Sequence, residues 1–162
     1  MGWLRLGYGL CATVVLILDQ WSKWFAETAL LYGEPVVVAP WLNWLLIYNQ
    51  GAAFSFLAGA GGWQRWLFLL LAVVVSSFLT VALWRLRAAD RLLGLAYSCI
   101  VGGALGNLLD RARLGYVVDF VQLHYRGYYW PAFNVADSAI TVGVGLWCWH
   151  LWCEYRADST AV

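Results

Sequence analysis

Long runs of residues without a charged side chain dominate this sequence and restrict the folds that it can adopt. A helix that crosses the hydrocarbon core of a bilayer needs about 20 mostly apolar residues. Residues 66–84, 92–109 and 138–153 are uncharged over 19, 18 and 16 positions, and a shorter run covers residues 6–18. Only 12% of the chain is charged, about half of the share in soluble domains. The chain is therefore predicted to be an integral membrane protein.

Four transmembrane helices are predicted, over about residues 4–25, 65–84, 92–109 and 138–154. The first can span only if it continues past Asp19, which places Asp19 and Lys23 one turn apart on the same face. Arg5 before an apolar run is similar to the start of a signal peptide, but no small-residue cleavage site follows, so a retained helix is expected. The 162 residues are predicted to form a single membrane-embedded domain.

Four spans place both termini on one side of the membrane and the two long connections, residues 26–64 and 110–137, on the other. The short connection over residues 85–91 contains three arginines, and positive charge in short loops favours the cytoplasmic side. The two sides nevertheless carry five basic residues each, so charge alone gives this orientation only weak support.

The first long connection is rich in β-branched and aromatic residues at positions 36–38 and 41–48. That composition predicts extended structure, and Asn49-Gln50-Gly51 indicates a turn into a further extended segment over residues 52–57. The predicted fold class is a mainly α-helical membrane protein with four transmembrane helices and a small β-sheet that lies on the membrane surface.

Polar residues cluster at one end of the predicted helices. Because a polar side chain near lipid costs free energy, such residues are expected to have a function. They are Asp19, Gln20, Lys23, Asn49, Asn107, Asp110, Arg111, Asp119, Asn134 and Asp137. The sequence has no H-E-x-x-H, G-x-S-x-G or P-loop pattern, and its four cysteines form no C-x-x-C pair, so neither a metal nor a cofactor is expected. A net charge of +1 without a basic run argues against nucleic acid as a partner.

Two carboxyl groups can hydrolyse a peptide bond when they share one proton, because like charges about 3 Å apart do not both ionise readily. The ionised group draws a proton from water, and the protonated group donates to the carbonyl oxygen. Asp119 has apolar neighbours, which raise the pKa of a carboxyl group. Asp137 lies at a predicted helix start, where the helix dipole favours the anion. These two aspartates are the predicted catalytic pair, with Asp137 ionised first.

Structural roles compete with this interpretation. Asp137 by itself fits a helix N-cap. Asp110 could form an interfacial ion pair with Arg111, and Asp19 could pair with Lys23 across one helical turn. The three asparagines of the cluster could occupy turns or caps: Asn49, Asn107 and Asn134.

Two other classes of function are also open. A small membrane transporter or proton relay would use the clustered carboxylates, which are Asp19, Asp110, Asp119 and Asp137. A relay needs carboxylates at several depths of the membrane, whereas the predicted helices place all four at one side. A structural assembly factor would leave the clustered polar residues without a purpose.

Five short motifs follow one another along the chain and have a combined specificity that none has alone. They are Asp19-Gln20-Trp21-Ser22-Lys23, Asn49-Gln50-Gly51-Ala52-Ala53-Phe54, Gly106-Asn107-Leu108-Leu109-Asp110-Arg111, Val117-Val118-Asp119-Phe120 and Phe133-Asn134-Val135-Ala136-Asp137-Ser138. Together they closely resemble the lipoprotein signal peptidase family, also called signal peptidase II, over nearly the whole chain.

The resemblance implies an aspartic endopeptidase of the bacterial inner membrane, with both termini in the cytoplasm and the active site and sheet at the periplasmic face. Its substrate would be a lipid-modified prolipoprotein, cut N-terminal to the diacylglyceryl cysteine. Membrane lipid and globomycin-type inhibitors are the other expected ligands, and a monomer is expected. Residues 36–57 would clamp the substrate, with Ala52 and Ala53 leaving room for its chain.

The resemblance also implies which residues do the chemistry. Catalysis falls to Asp119 and Asp137, without a metal, a cofactor or a covalent intermediate. The remaining motif residues are implied to shape or support the site: Asp19, Lys23, Asn49, Gly51, Asn107, Asp110, Arg111, Asn134 and Ala136.

Overall fold

The computed structural model describes residues 2–51 and 61–159, apart from the side chain of Asp158. In these residues the helices are α1 (Gly2–Ala29), α2 (Trp63–Arg85), α3 (Arg91–Arg113) and α4 (Val135–Ser159). The strands are β1 (Val36–Ala39), β2 (Leu42–Asn49), β3 (Val117–Tyr125) and β4 (Tyr128–Tyr129). Each helix extends beyond its expected bounds at both ends, and the mainly helical fold class is confirmed.

Three of the described helices, α1, α2 and α3, are long and apolar enough to cross a membrane. The outward faces of α1 and α2 expose large apolar side chains, among them Leu10, Trp24, Leu70 and Phe78. Such surfaces suit contact with lipid rather than with water, because lipid imposes no cost on exposed apolar groups.

Helix α3 lies at the centre and packs against each of the other three helices. Glycines permit this close approach. A Cβ atom at Gly102 would lie 2.6 Å from the carbonyl oxygen of Ala12 in α1, and one at Gly103 would overlap the backbone of Ala136 in α4. Small residues at helix contacts are the usual means by which membrane helices approach closely.

The strands form one antiparallel sheet in the order β1-β2-β3-β4. Because β2 lies in the first long connection and β3 in the second, both connections meet at the same end of the helices. In this pairing Ile47 faces Asp119, and Asn49 faces Val117.

The small sheet is thus confirmed over Val36–Ala39 and Leu42–Asn49, but its composition differs from the expectation. The partner of β2 is Val117–Tyr125, in the second long connection, where no strand was expected. The strand expected over residues 52–57, and the expected substrate contacts of Ala52 and Ala53, fall outside the described residues.

One face of the sheet is anchored on the end of α1. Ala26, Leu46, Val118 and Phe120 form a buried apolar cluster between helix and sheet. Side chains alternate between the two faces of a strand, so the contact of Val118 and Phe120 with this cluster turns Asp119 to the opposite face, towards α4.

Candidate active site

Asp119 and Asp137 line one cavity of about 590 Å³ between the sheet and α4. Asp119 is the third residue of β3 and only 2% exposed. Asp137 lies in the first turn of α4. Asn107 and Arg111 of α3 also reach this cavity. Strand, helix start and central helix therefore each contribute polar groups to the same space.

Asp119 is held by two side-chain amides. Asn49 donates through Nδ2 to Oδ2 of Asp119 at 3.0 Å, and Asn134 donates through Nδ2 to Oδ1 at 2.7 Å. Both carboxyl oxygens thus have a donor, which fixes the carboxyl plane at the cavity wall.

Asp137 is fixed by the start of its own helix and by α3. The backbone N–H of Asn134 donates to Oδ2 of Asp137 at 3.3 Å, while the backbone N–H of Asp137 donates to Oδ1 of Asn134 at 2.9 Å. This reciprocal pattern is a capping box with Asn134 as the N-cap. Asn107 donates through Nδ2 to Oδ1 of Asp137 at 2.8 Å.

The three asparagines share one arrangement. Each amide oxygen accepts a hydrogen bond, and this orients the NH₂ group of the same side chain towards Asp119 or Asp137. The oxygen of Asn49 accepts from the N–H of Gly51 at 2.9 Å. The oxygen of Asn107 accepts from the ammonium of Lys23 at 2.9 Å. The oxygen of Asn134 accepts from the N–H that follows it by three residues. Because each amide oxygen is occupied, each NH₂ group points at a carboxylate.

A buried cluster of three charged residues, Asp19, Lys23 and Asp110, holds the side chain of Asn107 in place. Lys23 is 2% exposed, and its three donors bind Oδ2 of Asp19 at 2.8 Å, Oδ2 of Asp110 at 2.8 Å and Asn107. Asp19 also accepts from the backbone N–H of Ala136 at 2.8 Å. A buried ammonium needs this complete pairing, because its desolvation costs several kcal/mol.

Arg111 completes the site on the side of α2. Its Nη2 donates to the carbonyl oxygen of Gly51 at 2.8 Å, and its guanidinium lies 5.0 Å from the ring centroid of Phe68. Arg65 of α2 in turn donates to the carbonyl oxygens of Arg111 and Ala112, both at 2.9 Å. The end of α3 is therefore held between α2 and the segment that follows β2.

Burial raises the pKa of Asp119 from 3.8 to about 7, and the negative charge of Asp137 is the second cause of this increase. Hydrogen bonds from Asn49 and Asn134 and the charge of Lys23 act in the opposite direction. The increase expected from the apolar neighbours of Asp119 is confirmed. A carboxyl group with this pKa is mostly protonated below neutral pH.

The structure brings all eleven predicted site residues into one hydrogen-bonded network, which includes the backbone of Gly51 and Ala136. The expected pairing of Asp19 with Lys23 is confirmed. The expected pairing of Asp110 with Arg111 is wrong, because Asp110 binds Lys23 instead. Consecutive residues of a helix point about 100° apart, so their side chains do not face each other.

The structural alternatives for the other residues divide in the same way. The N-cap of α4 is Asn134 and not Asp137, because the helix begins at Val135, three residues before its expected start. Asn49 does form a turn with Gly51. Asn107 lies inside α3, so a cap or turn is wrong for that residue.

Gln20 belongs to the polar cluster of the sequence, but the motifs indicated no role for it in the site. Its Nε2 donates to Oδ1 of Asp110 at 2.8 Å and approaches Oδ2 of Asp19 at 3.3 Å. The sequence does indicate a role, because a polar amide inside a membrane helix costs free energy and is expected to have a function. Arg65 was missed as well, because its contacts are with backbone carbonyls that no side-chain pattern reveals.

Comparison with known proteins gives consistent results. The sequence profile described as signal peptidase (SPase) II matches residues 11–153. A lipoprotein signal peptidase of Polynucleobacter necessarius subsp. necessarius (strain STIR1) is 52% identical over 144 residues, which cover 89% of this chain and 88% of that protein. One of Pseudomonas fluorescens is 53% identical over 141 residues, which cover 86% and 83%.

Solved structures agree with the sequence comparison. A structure described as that of a bacterial membrane enzyme at 2.3 Å resolution has a TM-score of 0.80 and 32% identity, over 92% of this chain and 89% of that chain. A second, described in the same words at 1.9 Å resolution, has a TM-score of 0.76 and 33% identity, over 90% and 92%. The profile spans nearly all of the helices and the sheet, and the relatives are identical to this chain at about half of the aligned residues. This chain therefore belongs to the signal peptidase II family.

Proposed function

We propose that this chain is an aspartic endopeptidase that removes the signal peptide from diacylglyceryl-modified prolipoproteins, cutting N-terminal to the lipidated cysteine. Membership of the signal peptidase II family makes it a peptidase that processes prolipoproteins. The aspartic mechanism rests on one observation: Asp119 and Asp137 line the same cavity and are joined through Asn134.

In the resting pair Asp119 carries the proton and Asp137 the negative charge. Asp137 accepts a proton from water as the water oxygen attacks the scissile carbonyl carbon, and Asp119 gives its proton to the carbonyl oxygen. When the resulting diol collapses, one hydroxyl proton returns to Asp119. The proton on Asp137 moves to the leaving nitrogen as the C–N bond breaks, which restores the resting pair.

The surroundings of the pair suit this chemistry. The guanidinium of Arg111 lines the cavity and adds positive charge beside the reacting groups. Fixed donors on Asp119 and Asp137 hold both carboxyl groups in place before substrate arrives, so little reorganisation is needed during the reaction.

The rest of the cavity wall suits a substrate that arrives through lipid. It is largely apolar and includes Leu123, Trp130, Ile140 and Val142. A signal-peptide helix and acyl chains are apolar as well, so they can reach such a wall without leaving an apolar environment. Asp119 and Asp137 in the same wall then meet the peptide bond.

We assign the enzyme to the bacterial inner membrane, with α4 as a fourth span. Four spans return both termini to one side, which the three arginines of residues 85–91 favour as the cytoplasm. This loop joins the ends of α2 and α3 remote from the sheet, so the sheet and the site lie at the periplasmic face. Cysteine labelling from the periplasm at Tyr128→Cys, an exposed position of β4, tests this orientation; protection of that position would contradict it.

Two further assignments follow from the site. A globomycin-type inhibitor would occupy the cavity beside Asp119 and Asp137 and compete with substrate. A monomer is the expected active state, because the side chains and backbone of a single chain already supply donors to both Asp119 and Asp137. Light scattering on the active detergent-solubilised fraction measures the mass of the protein; activity confined to a dimer fraction would contradict the monomer.

A transporter or proton relay is the weaker alternative. Asp19, Asp110, Asp119 and Asp137 all belong to the network at the sheet end of the helices. Passage of a proton across the membrane needs titratable groups at several depths, and these four groups occupy only one.

Cleavage of a diacylglyceryl-modified prolipoprotein by the purified protein tests the proposal. Asp119→Asn and Asp137→Asn each remove one member of the pair and should lower kcat by about 10²–10⁴-fold, the usual contribution of positioned acid–base groups. Asp90→Asn is the matched control, because Asp90 precedes α3 at the opposite end of the helices; it should keep the wild-type rate. Undiminished cleavage by either variant of the pair would exclude the aspartic mechanism.

A further inference from the structure

Gln20 contacts three groups at the junction of α1 and α3, although it is not one of the charged residues there. Its Nε2 lies 2.8 Å from Oδ1 of Asp110, 3.3 Å from Oδ2 of Asp19 and 3.3 Å from the carbonyl oxygen of Gly106. The amide thus bridges two carboxylates that face one ammonium, that of Lys23.

Asp110 is held from both sides by α1. Gln20 donates to Oδ1, and Lys23, three residues later on the same helix, donates to Oδ2. The same Oδ2 accepts from the backbone N–H of Val118 at 3.2 Å. Since Val118 immediately precedes Asp119 in β3, the orientation of the Asp110 carboxylate sets the position of the backbone that carries Asp119.

A second route leads from Gln20 to Asp137. Two carboxylates beside one ammonium repel each other, and a neutral donor that binds both reduces this repulsion. Lys23 then keeps its third donor for Asn107 at 2.9 Å, and Asn107 turns its NH₂ group towards Asp137 at 2.8 Å. Loss of the Gln20 donor therefore acts on both members of the catalytic pair.

We propose that Gln20 is a positioning residue of the peptidase, which holds Asp110 and Asp19 so that Asp119 and Asp137 keep their reacting geometry. This inference rests on the proposed catalytic pair. It assigns Gln20 an effect on turnover and not on substrate affinity, because the side chain does not line the cavity.

Gln20→Met tests the inference, because methionine has a similar length and no donor. We expect kcat per folded molecule to fall about tenfold, the factor for loss of one hydrogen bond to a charged group, with KM changed less than twofold. Ser22→Ala is the control on the same turn, since Ser22 bonds only its own helix backbone among the contacts described; its kcat should equal that of the wild type.

Gln20→Glu adds a readout that a purely structural role would not move. The new carboxyl group faces Asp19 and Lys23 of α1 and Asp110 of α3. Glu27 is close enough to Asp110 for their charges to interact, and Arg113 interacts with Glu27. Protonated, it can still donate to Asp110; ionised, it repels both carboxylates. We expect the ratio of its kcat to that of the wild type to decrease between pH 5 and pH 8, while the ratio for Gln20→Met stays constant.

Two results would overturn the inference: a wild-type kcat for Gln20→Met, or a loss accounted for entirely by a smaller folded fraction in size-exclusion chromatography. Asp119→Asn in the same assay separates this from failure of the proposed function. If Asp119→Asn cleaves normally, the catalytic pair itself is wrong, whatever Gln20→Met does.

Discussion

Asn134 donates its side-chain amide to Asp119 over 2.7 Å and, by capping α4, also fixes the first turn that carries the second carboxylate. One residue therefore determines the relative placement of a strand residue and a helix residue. This placement depends on both ends of the amide, since its oxygen and its nitrogen have different partners.

Replacement of Asn134 by alanine should lower kcat by about 10²-fold, because the side-chain hydrogen bond to Asp119 and one helix cap are lost together. The matched control is Asn43→Ala. Asn43 is also buried, but it pairs with Gln122 in the sheet, away from the cavity. Steady-state cleavage assays compare the two, and equal losses would show that Asn134 has no special link to the pair.

The activity should have a basic limb near pH 7, because Asp119 has a pKa of about 7. Below that pH Asp119 holds the proton that it donates to the carbonyl oxygen, and above it the proton is lost. The hydrogen bond from Asn49 lowers this pKa, so Asn49→Ala should move the limb to higher pH. Profiles of kcat/KM from pH 5 to pH 9 measure the shift, and a limb displaced to lower pH would contradict the assignment.

The same pKa predicts the pH dependence of stability. Asp119 has a higher pKa in the folded protein than in the unfolded chain, so the folded state binds more protons between about pH 4 and pH 7. Stability contributed by this group is present below that window and is lost as the pH rises through it. Asp119→Asn should therefore be more stable than the wild type at pH 8, by a few kcal/mol, and not at pH 4. Thermal unfolding in detergent at the two pH values measures the difference; an equal effect at both would contradict it.

Gly106→Ala should displace Asp19. An added Cβ would overlap the Asp19 carboxylate and lie 3.4 Å from the Cβ atom of Ala136. We expect a destabilisation of about 1–3 kcal/mol from overpacking together with reduced cleavage. Gly145→Ala is the control, because no described atom outside its own stretch of helix lies within 4 Å of the Cβ position there. A Tm that falls equally in both variants would exclude a specific effect on Asp19.

Lys23→Met should leave Asp19 and Asp110 buried without their shared cation, at a cost of about 3–5 kcal/mol. Adding Asp110→Asn to this variant removes one of the two buried charges that lack a counter-charge and should recover part of the lost Tm. Arg126→Met, in the exposed β3–β4 turn, should leave the Tm unchanged. A double variant less stable than Lys23→Met would contradict the charge pairing.

The helices could be predicted from the sequence because their cause is local. Residues 66–84 carry no charge, and lipid accepts such a run only as a helix with its backbone hydrogen bonds satisfied within the segment. Helix α4 begins three residues before its predicted start, because its N-cap is Asn134, three positions before Asp137. A pattern of charged residues does not reveal the capping hydrogen bonds of Asn134, because its side chain is uncharged.

The pairing partners could not be predicted, because they are distant in sequence. β2 pairs with β3 across some 70 residues, and residue patterns do not encode such non-local contacts. Asp110 was assigned to its neighbour Arg111, whereas its true partner, Lys23, lies in another helix. The motifs indicated these residues as candidates for one site, but they did not indicate the hydrogen bonds and ion pairs between them.

The pairing of Asp19 with Lys23 within α1 has a consequence for biogenesis. Ribosomes deliver α1 to the translocation machinery before α3 has been synthesised, so Asp110 is absent when this segment enters the bilayer. An isolated ionised residue in a membrane helix costs about 2.5–3.5 kcal/mol during insertion. Neutralisation inside a single helix lowers that barrier, and the arriving third helix then finds a cation already in position.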